Sequence, residues 1–295
     1  MLKQIIKTGR GLLCLALLSF FVASFFHVDT SAAQAGMTVS PLRAELSIAP
    51  GTTQKQALRV SNVTESNMIV QLSSEEFSVI NPDYDYSFNA ESAVKDWVRF
   101  SQTTVALEPG ESKVISYDIA VPIGTEPGGT YISIFASNDS EKDVGAISSR
   151  QRIGILLYIT VDGDVTRAGN LLSLSHPWIV GGPSDWSVSV QNQGTAHFRS
   201  RYSAELFTLF GNNPVAKMEG DALVLPGTVR RVTESLPLPA YPGIYKVFYN
   251  IGLGDQPAYS DTRYVAYIPV WLWASVVVGV VVAGLLSIRR KKTTA

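Results

Sequence analysis

The chain has 295 residues, of which 46% are hydrophobic and 17% charged, and it carries a formal net charge of −1. Such a length holds more than one ordinary core, and so balanced a charge excludes a protein that grips nucleic acid through bulk electrostatics. Its one cysteine, Cys14, excludes a disulfide framework, and its three histidines leave little for a histidine-based metal or catalytic centre.

Lys3, Lys7 and Arg10 precede an apolar run from Gly11 to Phe26, and the small-residue site Ala33-Gln34-Ala35 follows. This order predicts a secretory signal peptide over residues 1–35, cut before Gly36. Leu12-Leu13-Cys14 loosely resembles a lipobox, but Cys14 lies before most of the apolar run, so a lipoprotein signal fits less well. Removal of the signal removes the only thiol, and a cysteine-free exported protein points to a bacterial host. Between the signal and the last seven residues, 17 basic side chains face 24 acidic ones.

From Gly36 onward, apolar and polar residues alternate, as in Gln56–Val60 and Val114–Val121. Period two marks half-buried strands, and no window before residue 267 combines helical spacing with caps. The expected class is all-β, with two immunoglobulin-like β-sandwich domains at residues 36–164 and 165–266. Pro-Gly pairs at Pro50, Pro109, Pro127, Pro226 and Pro242 set the punctuation. Proline fixes φ at one turn position and glycine takes the positive φ that a type II turn needs at the next. The sequence Leu107-Glu108-Pro109-Gly110 before Pro127-Gly128-Gly129-Thr130-Tyr131 is echoed by Leu225-Pro226-Gly227 before Pro242-Gly243-Ile244-Tyr245. Two copies of one sandwich plan account for the echo, and Tyr131 and Tyr245 then open penultimate strands where a buried ring commonly bonds nearby backbone.

Within the first half, Asn81–Asn89 sets Tyr84, Tyr86 and Phe88 alternately with polar residues, which places all three on one strand face. Such a face either contacts a ligand, sugar rings being suited to aromatic stacking, or packs on the sandwich; Trp97 is expected in the core. Asp83 with Asp85, and Asp162 with Asp164, are candidate calcium ligands that fall short of the several oxygens calcium takes, and turn formation explains them as well. His176 and His197 lack metal-ligand spacing, and no Gly-x-Ser-x-Gly elbow presents a nucleophile. Neither catalysis nor a cofactor is expected.

The segment 267–288 is uncharged, has Trp271 and Trp273 near its start, and is followed by Arg289, Arg290, Lys291 and Lys292. About 20 apolar residues span a bilayer core of about 30 Å. This pattern predicts one C-terminal transmembrane helix with a cytoplasmic tail at 289–295, and places the protein in the bacterial cell membrane with its sandwiches outside. Ser275, Gly279, Ala283 and Ser287 recur every four residues, so a homodimer through that face is a further expectation. Leu225-Pro226-Gly227-Thr228-Val229 mimics a sortase signal but has Val229 where glycine is needed. Asn62-Val63-Thr64 and Asn138-Asp139-Ser140 are sequons, expected to be empty in a bacterium.

Val39-Ser40-Pro41, Ala49-Pro50-Gly51, Val60-Ser61-Asn62, Trp97, Leu107–Ser112, Val121-Pro122, Pro127–Tyr131, Val190–His197, Val224–Arg230 and Pro242–Tyr245 together resemble the WxL-interacting proteins of bacterial surfaces. The resemblance runs through nearly the whole chain, and it implies that the first sandwich is a peptidoglycan-binding module and the second is membrane-proximal. The expected function is membrane-anchored surface binding and scaffolding, the outer domain contacting cell wall or a surface protein. The alternative is an assembly chaperone that adds a client strand to a sheet edge, with Leu42–Ile48 as the candidate edge.

Overall fold

The computed structural model describes residues 36–138 and 151–272, with 275, 280 and 283. The described chain is nearly all β and forms two immunoglobulin-like sandwiches. The first contains β1 (Met37–Ser40), β2 (Arg43–Ile48), β3 (Thr53–Asn62), β4 (Met68–Val79), β5 (Tyr86–Asn89), β6 (Val98–Phe100), β7 (Thr104–Leu107), β8 (Ser112–Ala120), β9 (Gly128–Asn138) and β10 (Gln151–Val161). One sheet runs β1-β3-β8-β6; the other runs β2-β10-β9-β4-β5, with β7 also on β4. The N-terminal strand is thus divided. β1 pairs antiparallel with β3, the chain turns at Ser40-Pro41, and β2 pairs parallel with the second half of β10.

Alternation decides which residues enter the core. Leu58 and Val60 of β3 and Ile115, Tyr117 and Ile119 of β8 point inward against Val70, Leu72, Ile132, Ile134, Ile155, Leu157 and Ile159 of the facing sheet. Trp97 packs on this cluster from a short 3-10 turn, Ala93–Trp97, as expected. Burial pushes the Tyr117 phenol up to about 12. On β9, Ile132 to Ala136 are buried without alternation, because the outer face of that sheet is covered as well.

Residues 162–168 lead into the second sandwich: β11 (Gly169–Ser175), β12 (Ile179–Val180), β13 (Asp185–Asn192), β14 (Phe198–Thr208), β15 (Pro214–Val224), β16 (Val229–Ser235), β17 (Gly243–Leu253) and β18 (Gln256–Tyr267). Its sheets run β11-β13-β16 and β12-β18-β17-β14-β15. The core centres on Trp186, which packs 4.8 Å from the Tyr249 ring between Val188, Tyr202, Leu206 and Val247. His176 braces this core from its margin, one ring nitrogen 2.7 Å from the Tyr249 hydroxyl and the other 2.9 Å from the Tyr264 carbonyl. Its burial pulls the imidazole below its ordinary range.

A buried asparagine closes the second long strand of each sandwich. Asn62 donates to the carbonyls of Ser66 at 2.7 Å and Glu108 at 3.0 Å and accepts from the Thr64 N–H at 2.9 Å. Asn192 donates to the carbonyls of Ala196 and Val224 at 2.9 Å each and accepts from the Gly194 N–H at 2.8 Å. Both asparagines therefore tie a loop to the strand before a Pro-Gly turn, where Gly110 and Gly227 hold φ of 73° and 70°. Gly128 and Gly243, at 151° and 159°, open strands instead, so the two kinds of Pro-Gly pair differ in backbone as well as position. Burial of Asn62 also closes that sequon to a glycan.

The expected membrane anchor is corrected. Among the described residues no helix is long and apolar enough to cross a membrane, so a single-pass location in the cell membrane does not stand. The segment's first residues belong to the sandwich: Tyr267 ends β18 opposite Gly243, and the Ile268 N–H donates to the Val180 carbonyl at 2.8 Å. Helical residues begin at Val270, and Trp271 is exposed. Trp273, Gly279, Ser287, Arg289, Arg290, Lys291 and Lys292 lie outside the described residues; Ser275 donates to the Leu272 carbonyl, and Ala283 is exposed.

Asn62→Ala and Asn192→Ala leave several buried backbone groups without partners, and a buried unsatisfied group costs about 1–3 kcal/mol. Each substitution is expected to destabilise the protein by about 2–4 kcal/mol in urea unfolding, against less than about 0.5 kcal/mol for an exposed control such as Asn213→Ala.

Candidate functional site

The open edge in the first sandwich lies on β10. Its whole length pairs with β9, but β2 covers only Leu156–Val161 on the other side. Among the described residues nothing pairs with that side of Gln151–Ile155. The Leu156 N–H donates to the Leu42 carbonyl at 3.0 Å, which fixes the direction of the ladder. Peptide groups alternate sides along a strand, so the N–H and C=O of Gly154 and Arg152 point into the gap while those of Ile153 and Ile155 bond β9. On the inner side Ile155 is fully buried and Ile153 packs on the core. On the outer side Gly154 lacks a side chain, and the Arg152 guanidinium lies 3.3 Å from the Phe135 ring centroid and pairs with Glu75. A second strand in line with β2 would complete both the backbone bonding and the inner face.

Around this edge, the sheet's outer face is aromatic. Phe77 packs against Tyr86, Tyr131 and Tyr158 at 5.5, 5.7 and 5.5 Å, and Phe88 meets Phe135 edge-on at 4.9 Å. Such rings pack best edge-to-face or offset. Tyr86 and Phe88 do share a strand face, and they remain 37% and 39% exposed. Tyr84 does not join them. The Asn81 side chain accepts the N–H groups of Asp83 and Asp85 at 3.1 and 3.0 Å, which curls the segment and holds Tyr84 at φ 69°. The Tyr84 ring is thereby driven into the joint between the sandwiches.

In that joint the Tyr84 hydroxyl accepts the Leu225 N–H at 2.7 Å and lies 3.0 Å from the Thr228 hydroxyl. The Arg230 guanidinium stands 4.0 Å from the Tyr84 ring centroid, a favourable place for a cation. Burial raises the Tyr84 phenol, and the Thr228 and Leu225 bonds and the Arg230 charge work against the rise. Two backbone bonds also cross: Arg231 N–H to Pro82 carbonyl at 2.7 Å, and Gly129 N–H to Thr195 carbonyl at 2.9 Å. Tyr158 and Leu225 bury one another beside Phe77 and Tyr84, with Tyr131 and Leu223 alongside. Tyr245 bonds the nearby Tyr241 carbonyl at 2.7 Å as expected of its position, but Tyr131 instead reaches the His197 ring nitrogen at 3.4 Å in the other sandwich.

Three of the four paired acids have structural partners. Asp83 faces Arg231 at 3.6 Å, Asp85 accepts from the Asn81 amide at 2.6 Å, and Asp162 accepts from the Ser47 hydroxyl. Among the described residues no group of three or more His, Cys, Asp or Glu side chains is placed to hold a metal. The edge named from sequence, Leu42–Ile48, lies in line with the gap and not at it: β2 is the outermost strand, and its Glu45 is tied to Arg199 of the second sandwich. Arg152, Tyr158 and His197 were not legible as site residues. Their roles come from pairings between distant segments, which no local pattern in the sequence marks.

No family model matches the chain, and no curated protein matches it. Solved structures do. The class 5 fimbrial chaperone CfaA is 11% identical over 77% of this chain and 98% of its own, with a TM-score of 0.42. A chain of the CsuC–CsuE chaperone–tip adhesin complex of Acinetobacter baumannii is 12% identical over 78% and 98%, at 0.38. A chain of the Salmonella enterica complex of SafA pilin with the SafB chaperone is 13% identical over 80% and 98%, at 0.39. The likeness is remote in sequence and in superposition.

Tyr84→Phe leaves the buried Leu225 N–H without an acceptor and is expected to cost about 1–3 kcal/mol in chemical denaturation. Tyr86→Phe, which loses only a 3.3 Å contact with the Tyr158 hydroxyl, is expected to cost well under half as much.

Proposed function

We propose that the protein binds an extended segment of another polypeptide as an added strand beside Gln151–Ile155, and so holds client chains as an assembly chaperone. The observation that carries this reading is the half-covered β10, whose Arg152 and Gly154 peptide groups face a gap in line with β2. An incoming strand gains main-chain hydrogen bonds there, each worth about 0.5–1.5 kcal/mol net. Selectivity comes from alternation. Residues opposite Ile153 and Ile155 sit over the core and favour apolar side chains, while those opposite Arg152 and Gly154 face outward and favour polar ones. Clients are then segments with strand-type alternation that have not yet found their own partner strand.

Arg152→Pro removes one gap-facing donor without touching the ladder to β9, and proline is tolerated at such an edge. Peptides enriched from a random nonamer library on the wild-type protein are expected to alternate apolar and polar residues, and to bind Arg152→Pro about tenfold more weakly than Arg152→Ala. Purified peptidoglycan provides the opposing arm. Retention on it that depends on Tyr86 and Phe88, with no alternating peptide enriched, would favour wall binding through the aromatic face and end the strand-addition reading.

A further inference from the structure

His197 is the one titratable group with an ordinary range near neutral pH in the joint, and nothing in strand addition uses it. It sits just before β14, 7% exposed, with its ring 5.7 Å from Tyr131 of β9 and 5.9 Å from Tyr158 of β10, both on the other sandwich. Charged groups surround the contact. Glu45 on β2 faces it across the joint, Arg167 lies on the connecting segment, Arg199 stands two residues on, and Asp255 lines the same small cleft of about 290 Å³. Arg199 is already engaged by Glu45 and by Asp221 of β15.

We propose that this joint is a pH-operated hinge: a proton on His197 leaves a charge buried in the joint beside Arg167 and Arg199, and its uptake releases the second sandwich from the first. The neutral ring fits because an aromatic edge contact needs no solvent. A charged imidazolium in the same place loses its hydration beside Arg167 and Arg199, and the carboxylate that offsets it, Glu45, is already committed to Arg199. Burial accordingly holds the His197 imidazole below its ordinary range, with Arg167 and Arg199 adding to the shift and Glu45 opposing it. The sign follows from proton linkage. The open joint takes up a proton in the ordinary histidine range, whereas the closed joint takes it up only lower. Closure is therefore complete above the ordinary imidazole value and is lost as pH falls through the window between the two. In that window a single proton changes the open fraction by up to about tenfold per pH unit.

The cross-joint donors report the opening directly. In the full chain, protection of the Gly129, Leu225 and Arg231 amides against hydrogen exchange, corrected for intrinsic rate, is expected to fall by up to about tenfold per unit as pH drops below the ordinary imidazole value, while Ile134 and Val247 stay protected. In His197→Phe, which keeps an aromatic ring and has no proton to gain, the three amides are expected to stay protected throughout. In Glu45→Gln the pH response is expected to persist. Retention of protection in the wild type across the range, an unchanged fall in His197→Phe, or abolition of the response in Glu45→Gln would each overturn the proposal. Should His197→Phe not fold, the wild-type imidazole titration read by NMR decides the matter: it must coincide with the loss of protection, and a titration displaced from it by more than about one unit rejects the hinge.

Discussion

The division of the N-terminal strand between two sheets is the constraint on which the rest of the first sandwich depends. β1 completes one sheet through β3, and β2 covers the edge of the other through β10. A strand that crosses from sheet to sheet cannot cover the whole of both edges, and residues 41–42 are spent in the crossing. Among the described residues, the uncovered remainder falls on Gln151–Ile155. The same crossing sets β2 at the outer margin, where Glu45 reaches Arg199, so the strand that leaves the gap also helps fasten the second sandwich.

That fastening is mixed in character, and the mixture governs how firmly the two bodies are held. Three hydrogen bonds from backbone N–H groups cross the joint, and each demands a fixed position of both partners. Between them lies an aromatic and aliphatic layer of Phe77, Tyr84, Tyr158 and Leu225, which is non-directional and tolerates small rotations. The exposed Asp83–Arg231 pair at 3.6 Å adds little, because ion pairs open to solvent contribute about 0–1 kcal/mol. Position is therefore set by the buried hydrogen bonds and the layer around them. Burial holds the phenols of Tyr131 and Tyr158 far above their ordinary value, so both remain neutral donors at any physiological pH.

Much of the sandwich plan was legible because it rests on local rules. Alternation in Val114–Val121 places Ile115, Tyr117 and Ile119 inside as read, and the repeated Pro-Gly punctuation corresponds to equivalent turns tied by Asn62 and Asn192. Where the sequence reading failed, a local rule had been extended past its conditions. Tyr84 shares period two with Tyr86 and Phe88, but period two places residues on one face only if the backbone is extended, and the Asn81 turn breaks the extension. The stretch 267–288 meets the hydropathy criterion for a membrane span, yet Tyr267 and Ile268 are strand-bonded, so composition alone misjudged where the sheet ends. Tyr131 was read as bonding its own backbone. Its partner, His197, lies 66 positions away, and no local pattern encodes that pairing.

The other sheet margins show why the gap on β10 stands apart. A native sheet edge is commonly protected by shortness or by charge, since an open row of peptide groups invites a foreign strand. β1 and β5 have four residues, β6 three and β12 two. β15 is long, but it carries Lys217, Glu219 and Asp221, engaged with Glu205 and Arg199 of β14. β16 carries Arg230, Arg231 and Glu234. The open half of β10 has Ile153, Gly154 and Ile155 in sequence, with Arg152 drawn back over Phe135 and held there by Glu75. Among the described residues nothing pairs with it, and two of its peptide groups face outward over an apolar inner side. β11 is likewise uncharged at the margin of its sheet, so what sets the β10 edge apart among the described residues is its place in line with β2 over the buried Ile155.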